Sequence, residues 1–276
     1  MDKYELGAVL GKGTYSEVFA AKRKRGHQDE EGKDEEDLHE VVAIKRMTKS
    51  KLISPTEQDI PRREIQYMEL IGRHPHAVFM YESYEDEDSV FLVLELAQGM
   101  TLEHRLQRSP LGLGNSASRL VVHQLLLAVL HLHTLGIVHM DISPRNVLVD
   151  DAMGCKLIDF GLAFHVEDGF ECSPAAAADG GGGSYTAPEV ETGGVSESAD
   201  IWSLGILAYE ILSGMWPAQQ QQQAIAFPDE CWLDKDLLAV QFTKSLLIQN
   251  PQLRPTISQA LESSWFLDLK KEHYSH

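Results

Sequence analysis

From His139 the chain reads His-Met-Asp-Ile-Ser-Pro-Arg-Asn, continues through the apolar Val147-Leu148-Val149, and thirteen residues past Asn146 presents Asp159-Phe160-Gly161. Two turns, each carrying oxygen-bearing side chains, are thus joined by one short strand. Either turn alone is commonplace, because aspartate shapes and caps turns in many folds. A carboxylate at 141, an amide at 146 and a second carboxylate at 159, in this order and at this spacing, restrict the fold far more.

At 276 residues and 43% apolar content the chain can bury one core or two packed lobes. Lys and Arg number 24 against 42 Asp and Glu, a formal net charge of -18. That balance disfavours nucleic acid and anionic membrane as partners, since phosphate contact needs basic patches; acidity also simply keeps a protein in solution. Cys155, Cys172 and Cys231 are widely spaced, with no C-x-x-C pair. Neither a disulfide framework nor a zinc site is indicated, and a reducing compartment is expected. No apolar run approaches the roughly 18 residues that span a bilayer. Met1 leads straight into a charged, strand-like segment with no apolar signal core. These features predict a soluble intracellular protein, cytoplasmic or nuclear, with no membrane insertion.

Residues 4–25 alternate well enough to predict two strands joined by the turn Gly11-Lys12-Gly13-Thr14-Tyr15-Ser16. Its glycines would let backbone amides approach phosphate oxygens, although a glycine-rich hairpin is often only a hairpin. Gly26 to Glu40 is rich in Asp and Glu and holds almost no apolar residue before Leu38. It is expected to be a disordered, solvated insertion, the other reading being a docking site for a basic partner. Val41-Val42-Ala43-Ile44-Lys45 is a β-branched strand ending in lysine. Asp59 is a candidate N-cap and Pro61 suits a first turn, which predicts a helix from about Pro61 to Ile71, stopped by Gly72. On it Glu64, Met68 and Ile71 share a face. His74-Pro75-His76 predicts a turn, followed by strands over 77–84 and 90–96. Asn115, read as a cap, opens a helix to Gly136 that is apolar almost all round and so buried. His123, His131 and His133 on it lack an accompanying carboxylate or cysteine cluster, which disfavours a metal site.

With these residues in place, the chain resembles the eukaryotic protein kinase domain of serine/threonine type, loosely like the calmodulin-dependent kinases. The glycine turn, Val42-Ala43-Ile44-Lys45, the 139–146 loop and Asp159-Phe160-Gly161 follow in family order. Ala187-Pro188-Glu189, Asp200-Ile201-Trp202-Ser203-Leu204-Gly205, Arg254 within 250–256, and Ser264-Trp265-Phe266 complete the likeness over about residues 4–266. The resemblance implies an α+β, two-lobed fold. A small lobe of about 4–95 would hold a five-stranded antiparallel sheet and one main helix. A hinge at about 95–98, a mainly helical large lobe of about 99–266 and a tail of 267–276 would follow.

The same resemblance implies ATP and Mg²⁺ as cofactors and a protein substrate, and leaves the oligomeric state open. Asp141 would orient the attacking hydroxyl and accept its proton, Asn146 and Asp159 would ligate the metal, and Lys45, held by Glu64, would position the phosphates. Leu10, Gly11, Lys12, Gly13, Val18, Ala43, Lys45 and Leu148 would line the nucleotide, with Leu94 as gatekeeper and backbone groups of Glu95 to Ala97 reading adenine. Met68, Met80, His139 and Phe160 would form an apolar spine. Glu189 would pair with Arg254.

Four departures bear on activity. Met140 replaces the arginine that senses a phosphorylated activation loop, so activity is expected not to depend on that route. Ser143 stands where serine/threonine kinases carry a lysine, and Arg145 is expected to screen charge in its stead, as in the small-residue-then-arginine loop of tyrosine kinases. The run from Pro174 to Gly183 places Gly182 where the family has threonine, with Ser173, Ser184 and Thr186 as phosphoacceptor candidates and Tyr185 read as structural. Glutamines 219–223 shorten a substrate-docking region, and Thr101 and Arg145 occupy positions that are acidic in arginine-directed kinases. The expected function is ATP-dependent phosphorylation of serine or threonine. The alternatives are an inactive pseudokinase scaffold and a tyrosine or dual-specificity kinase.

Overall fold

The strands pair into antiparallel sheets in the computed structural model, which describes residues 3–24, 40–167, 185–194, 196–217 and 225–269. The chain divides into two units, residues 1–73 with 78–97 and residues 74–77 with 98–276.

In the first unit, β1 (Tyr4–Lys12), β2 (Ser16–Arg23), β3 (Val41–Thr48), β4 (Met80–Glu85) and β5 (Ser89–Leu94) lie in the order β1-β2-β3-β5-β4. Strand alternation sends Val42 and Ile44 to one face, where they pack with Tyr4, Ala21, Phe91 and Val93. Ala43, Lys45 and Met47 therefore point to the other face. Helix α1 (Pro55–Gln58) precedes α2 (Ile60–Ile71), which buries Glu64, Tyr67, Met68 and Ile71.

The expected Asp59 cap is not made. Asp59 offers no side-chain cap to α2 and its carboxylate lies instead 3.7 Å from Arg62 and 3.4 Å from Arg63. The capping box sits one turn earlier, at Ser54 and Glu57. Gly72, at φ 61, ends α2 as expected, its N–H donating to the Met68 carbonyl.

The second unit contains β6 (Met100–Thr101), α3 (Leu102–Gln107), α4 (Asn115–Thr134), β7 (Ile137–Val138), β8 (Val147–Val149), β9 (Cys155–Leu157) and β10 (Phe164–His165). Then follow α5 (Ser198–Ser213), α6 (Asp229–Trp232), α7 (Leu237–Leu246) and α8 (Ile257–Leu261). Helix α5 is buried on nearly every side. A Cβ on its Gly205 would come within 2.8–2.9 Å of Leu246 and Leu247, so glycine is what lets α7 approach. Asn115, expected to cap α4, lies inside its first turn, and Gly114 takes the cap position without a side-chain bond. The Asn115 amide is drawn to Asp236 Oδ2 (3.0 Å) and accepts from Trp265 Nε1 (3.1 Å).

Residues 74–77, which the sequence places in the small lobe, pack with this second unit. Leu157 N–H donates to the His76 carbonyl at 2.9 Å, Ala77 bridges Leu157, and the His74 ring stacks on His131 at 4.9 Å. The other α4 histidines are likewise engaged, His123 against Phe266 (5.3 Å) and His133 with Asp200 (2.9 Å). The acidic stretch 26–39, the segment 168–184 with Cys172, Ser173, Gly182 and Ser184, the glutamines 219–223 and the tail from 270 lie outside the described residues.

Candidate active site

In the first unit, β3 alternation and the i, i+4, i+7 face of α2 bring Lys45 and Glu64 together. The ammonium meets both carboxylate oxygens, at 2.7 and 2.9 Å, with both residues buried. The glycine turn closes through Gly13 N–H to the Ser16 carbonyl at 2.8 Å. A Cβ on Gly11 would meet no described atom within 4 Å, leaving space that a ligand oxygen can occupy. Leu10 is exposed, and Lys12 pairs with Glu17 at 3.2 Å. Val18 stands opposite Gly11 and Lys45 in the sheet, and Ala43 opposite Leu94. Ala97 N–H donates to the Glu95 carbonyl at 3.1 Å. The donor and acceptor expected to read a base therefore lie side by side, and a purine edge would replace one bond with two.

In the second unit, the 139–146 loop is built on Asp200, at the start of α5. This carboxylate accepts from His139 N–H (2.9 Å) and Met140 N–H (3.0 Å) and bonds His133 Nε2 (2.9 Å). Burial pushes the Asp200 pKa up, but the His133 bond, the charges of His133 and His139 and the His139 amide outweigh it and hold the carboxyl below its ordinary range. Its grip keeps Met140 at φ 65, a conformation that costs a non-glycine residue about 1 kcal/mol. Nothing local in the sequence marks His133 and the two amides as the partners of Asp200.

Asn146 is buried, and its Nδ2 donates to Asp141 twice, to the carbonyl at 2.9 Å and to Oδ2 at 2.7 Å. This fixes the amide so that Oδ1 turns away from Asp141. Ile158 N–H donates to the Asn146 carbonyl (2.9 Å), tying the loop to the turn at residues 159–161. There Asp159 adopts φ 64 and accepts from Gly161 N–H at 3.2 Å, while Phe160 is buried against the His139 ring, 5.2 Å away.

Burial pushes the Asp141 pKa up against the pull of His139, and the Asp159 charge adds to the rise. Two carboxylates that repel one another beside an oriented amide oxygen are a hard donor set, which fits a divalent cation such as Mg²⁺. Ser143 is buried. Arg145 is 64% exposed, 4.0 Å from Glu103, and its charge draws the Asp141 pKa down only slightly. Leu148 lies in β8, opposite Thr101 and Lys156.

Beyond the loop, Arg254 grips Glu189 with two bonds of 2.6 and 2.8 Å, and donates to the carbonyls of Ile248, Ser198 and Gln249. Tyr185 donates to Glu210, its ring against Trp216 at 4.7 Å, in keeping with the structural reading of this residue.

The family model described as "Protein kinase domain" matches residues 4–266. The chain is 32% identical over 279 residues to CDPK-related kinase 5 of Arabidopsis thaliana, covering 96% of this chain and 44% of that protein. It is 31% identical over 292 residues to CBL-interacting protein kinase 2 of Oryza sativa subsp. japonica, covering 100% of this chain and 61% of that protein. To CDPK-related protein kinase of Daucus carota it is 30% identical over 276 residues, 95% of this chain and 44% of that one. The chain thus spans about half the length of these relatives.

Proposed function

Since the chain belongs to the protein kinase domain family, we propose that it transfers the γ-phosphoryl group of ATP to serine or threonine hydroxyls of protein substrates. The observation that carries the reading is the loop in which Asn146 holds Asp141 by side chain and main chain while Asp159 turns its carboxylate into the same field.

In this reading the Asp141 carboxylate accepts a hydrogen bond from the incoming hydroxyl, aligns it and takes its proton. Lys45, unable to swing because Glu64 holds it from both oxygens, presents its ammonium to the phosphates. The amides of the Gly11–Ser16 turn donate to phosphate oxygens in the space left beside Gly11. The Glu95 carbonyl accepts from, and the Ala97 N–H donates to, neighbouring groups on one edge of the base. Asn146 Oδ1 and the Asp159 carboxylate are the ligands offered to Mg²⁺, which when bound supplies positive charge against the phosphate oxygens.

The test is transfer of label from ATP to generic protein substrates with and without magnesium, beside an Asp141→Asn control, followed by phosphoamino-acid analysis. Magnesium-dependent label on serine or threonine, well above the control, is expected. Label equal to the control would leave a scaffold, and label on tyrosine would change the substrate class.

A further inference from the structure

The glycine turn is tethered by more than its own backbone. Tyr15, half-buried at its tip, donates its phenolic hydroxyl to Glu57 Oε1 at 2.6 Å. Glu57 is an acceptor already locked in place. Its Oε2 accepts from the amides of Ile53 (2.9 Å) and Ser54 (2.8 Å), and its own N–H donates to Ser54 Oγ at 3.2 Å. One oxygen completes the capping box of α1 and the other faces Tyr15. A short bond from a phenol to an ionised, pre-positioned carboxylate belongs to the stronger class of protein hydrogen bonds. The bonds from the Ser54 amide and from Tyr15 hold the Glu57 carboxyl down to about 2, so the acceptor stays charged at any working pH. Tyr15 is anchored by its main chain as well, its carbonyl accepting from Thr48 N–H at 3.2 Å.

We propose that Tyr15 is a positioning residue, its bond to Glu57 holding the Gly11–Ser16 turn where its amides can receive the phosphates of a nucleotide. Glycine at 11 and 13 leaves the turn intrinsically free to move, and an untethered turn would have to be ordered by the nucleotide at the expense of affinity. The tether removes that cost in advance. The inference rests on the kinase reading for its ligand, but the tether itself is a property of the free chain.

The experiment is a double-mutant cycle in the whole chain, with Tyr15→Phe, Glu57→Ala and both. KM for Mg-ATP, kcat, the Kd of a fluorescent ATP analogue and amide exchange across residues 11–16 are the readouts. Tyr15→Phe removes one oxygen and is expected to raise KM and Kd about three- to ten-fold, with kcat within about two-fold and faster exchange in the turn. In the Glu57→Ala background the same change should add nothing. An unchanged KM and Kd in Tyr15→Phe, or effects that simply add, would overturn the proposal. Failure of the unmutated chain to bind any nucleotide would sink the kinase reading instead, and unaltered amide exchange in Tyr15→Phe would then dismiss the tether separately.

Discussion

Both carboxylate oxygens of Glu64 close on the Lys45 ammonium, and the two side chains are 1% and 8% exposed. A pair this dry adds little net stability while intact, yet losing one partner strands a charge. Glu64→Ala is therefore expected to cost about 3–5 kcal/mol. Urea unfolding of the variant and the unmutated chain, compared at equal slope, measures it. A loss below about 1 kcal/mol would mean that water reaches Lys45.

Asp141→Asn keeps the shape of the side chain and an oxygen that can still accept from Asn146 Nδ2. Folding and nucleotide binding should survive, while transfer falls about 10²- to 10⁴-fold as the proton acceptor is lost. Steady-state kinetics beside a nucleotide titration separates the two. Equal losses in both would point to collapse of the loop.

Arg254 is the most heavily committed cation described in the second unit, with Glu189 and three carbonyls as acceptors and no exposed side-chain surface. Arg254→Ala should cost about 3–5 kcal/mol, and lysine should rescue only part, since an ammonium cannot reproduce the paired fork. Melting temperatures in the order arginine, lysine, alanine are expected.

Acid should weaken the fold through His74. Its Nδ1 accepts from His76 N–H at 3.2 Å, which requires a neutral ring. Burial, with His131, His76 and Lys156 adding repulsion, lowers its pKa from 6.5 to about 4. Below pH 6.5 the unfolded chain binds a proton that the folded chain refuses until about pH 4. Stability is thus whole above 6.5 and declines across that window. In His74→Asn, whose amide oxygen can accept the same bond, the fall in melting temperature between those values should be shallower. Parallel curves would assign the acid sensitivity elsewhere.

Thiol labelling should distinguish two cysteines. Cys155 is buried, and burial with the nearby Asp150 charge pushes its pKa up to about 12, while Cys231 is half-exposed. Peptide mapping after brief alkylation at pH 8 is expected to find Cys231 modified well before Cys155. Equal rates would show that β9 opens readily.

What could be read from the sequence was local and periodic. Lys45 and Glu64 were legible because strand period and helix face each point one way, and the 139–146 and 159–161 turns because their chemistry is contiguous. The same local logic went astray at Asp59, although Ser54-Pro55-Thr56-Glu57 carries the capping-box pattern in plain sight. Asn115 leaves the cap position for a different reason, because its partners Asp236 and Trp265 lie 121 and 150 residues on. Nor does the sequence tie His133 to Asp200, its partner 67 residues away. Long-range hydrogen bonds leave no periodic trace, so the support beneath the loop had to be seen.

The four residues 74–77 divide the first unit's sequence into two pieces, with Leu157, Cys155 and His131 of the second unit as their neighbours. Recombination between homologues that transplants residues 1–97 as a block would therefore import a foreign His-Pro-His-Ala tether. Such chimaeras should fare best when the graft leaves the recipient's own tetrapeptide in place. Natural exchange of the amino-terminal portion among relatives would face the same compatibility filter.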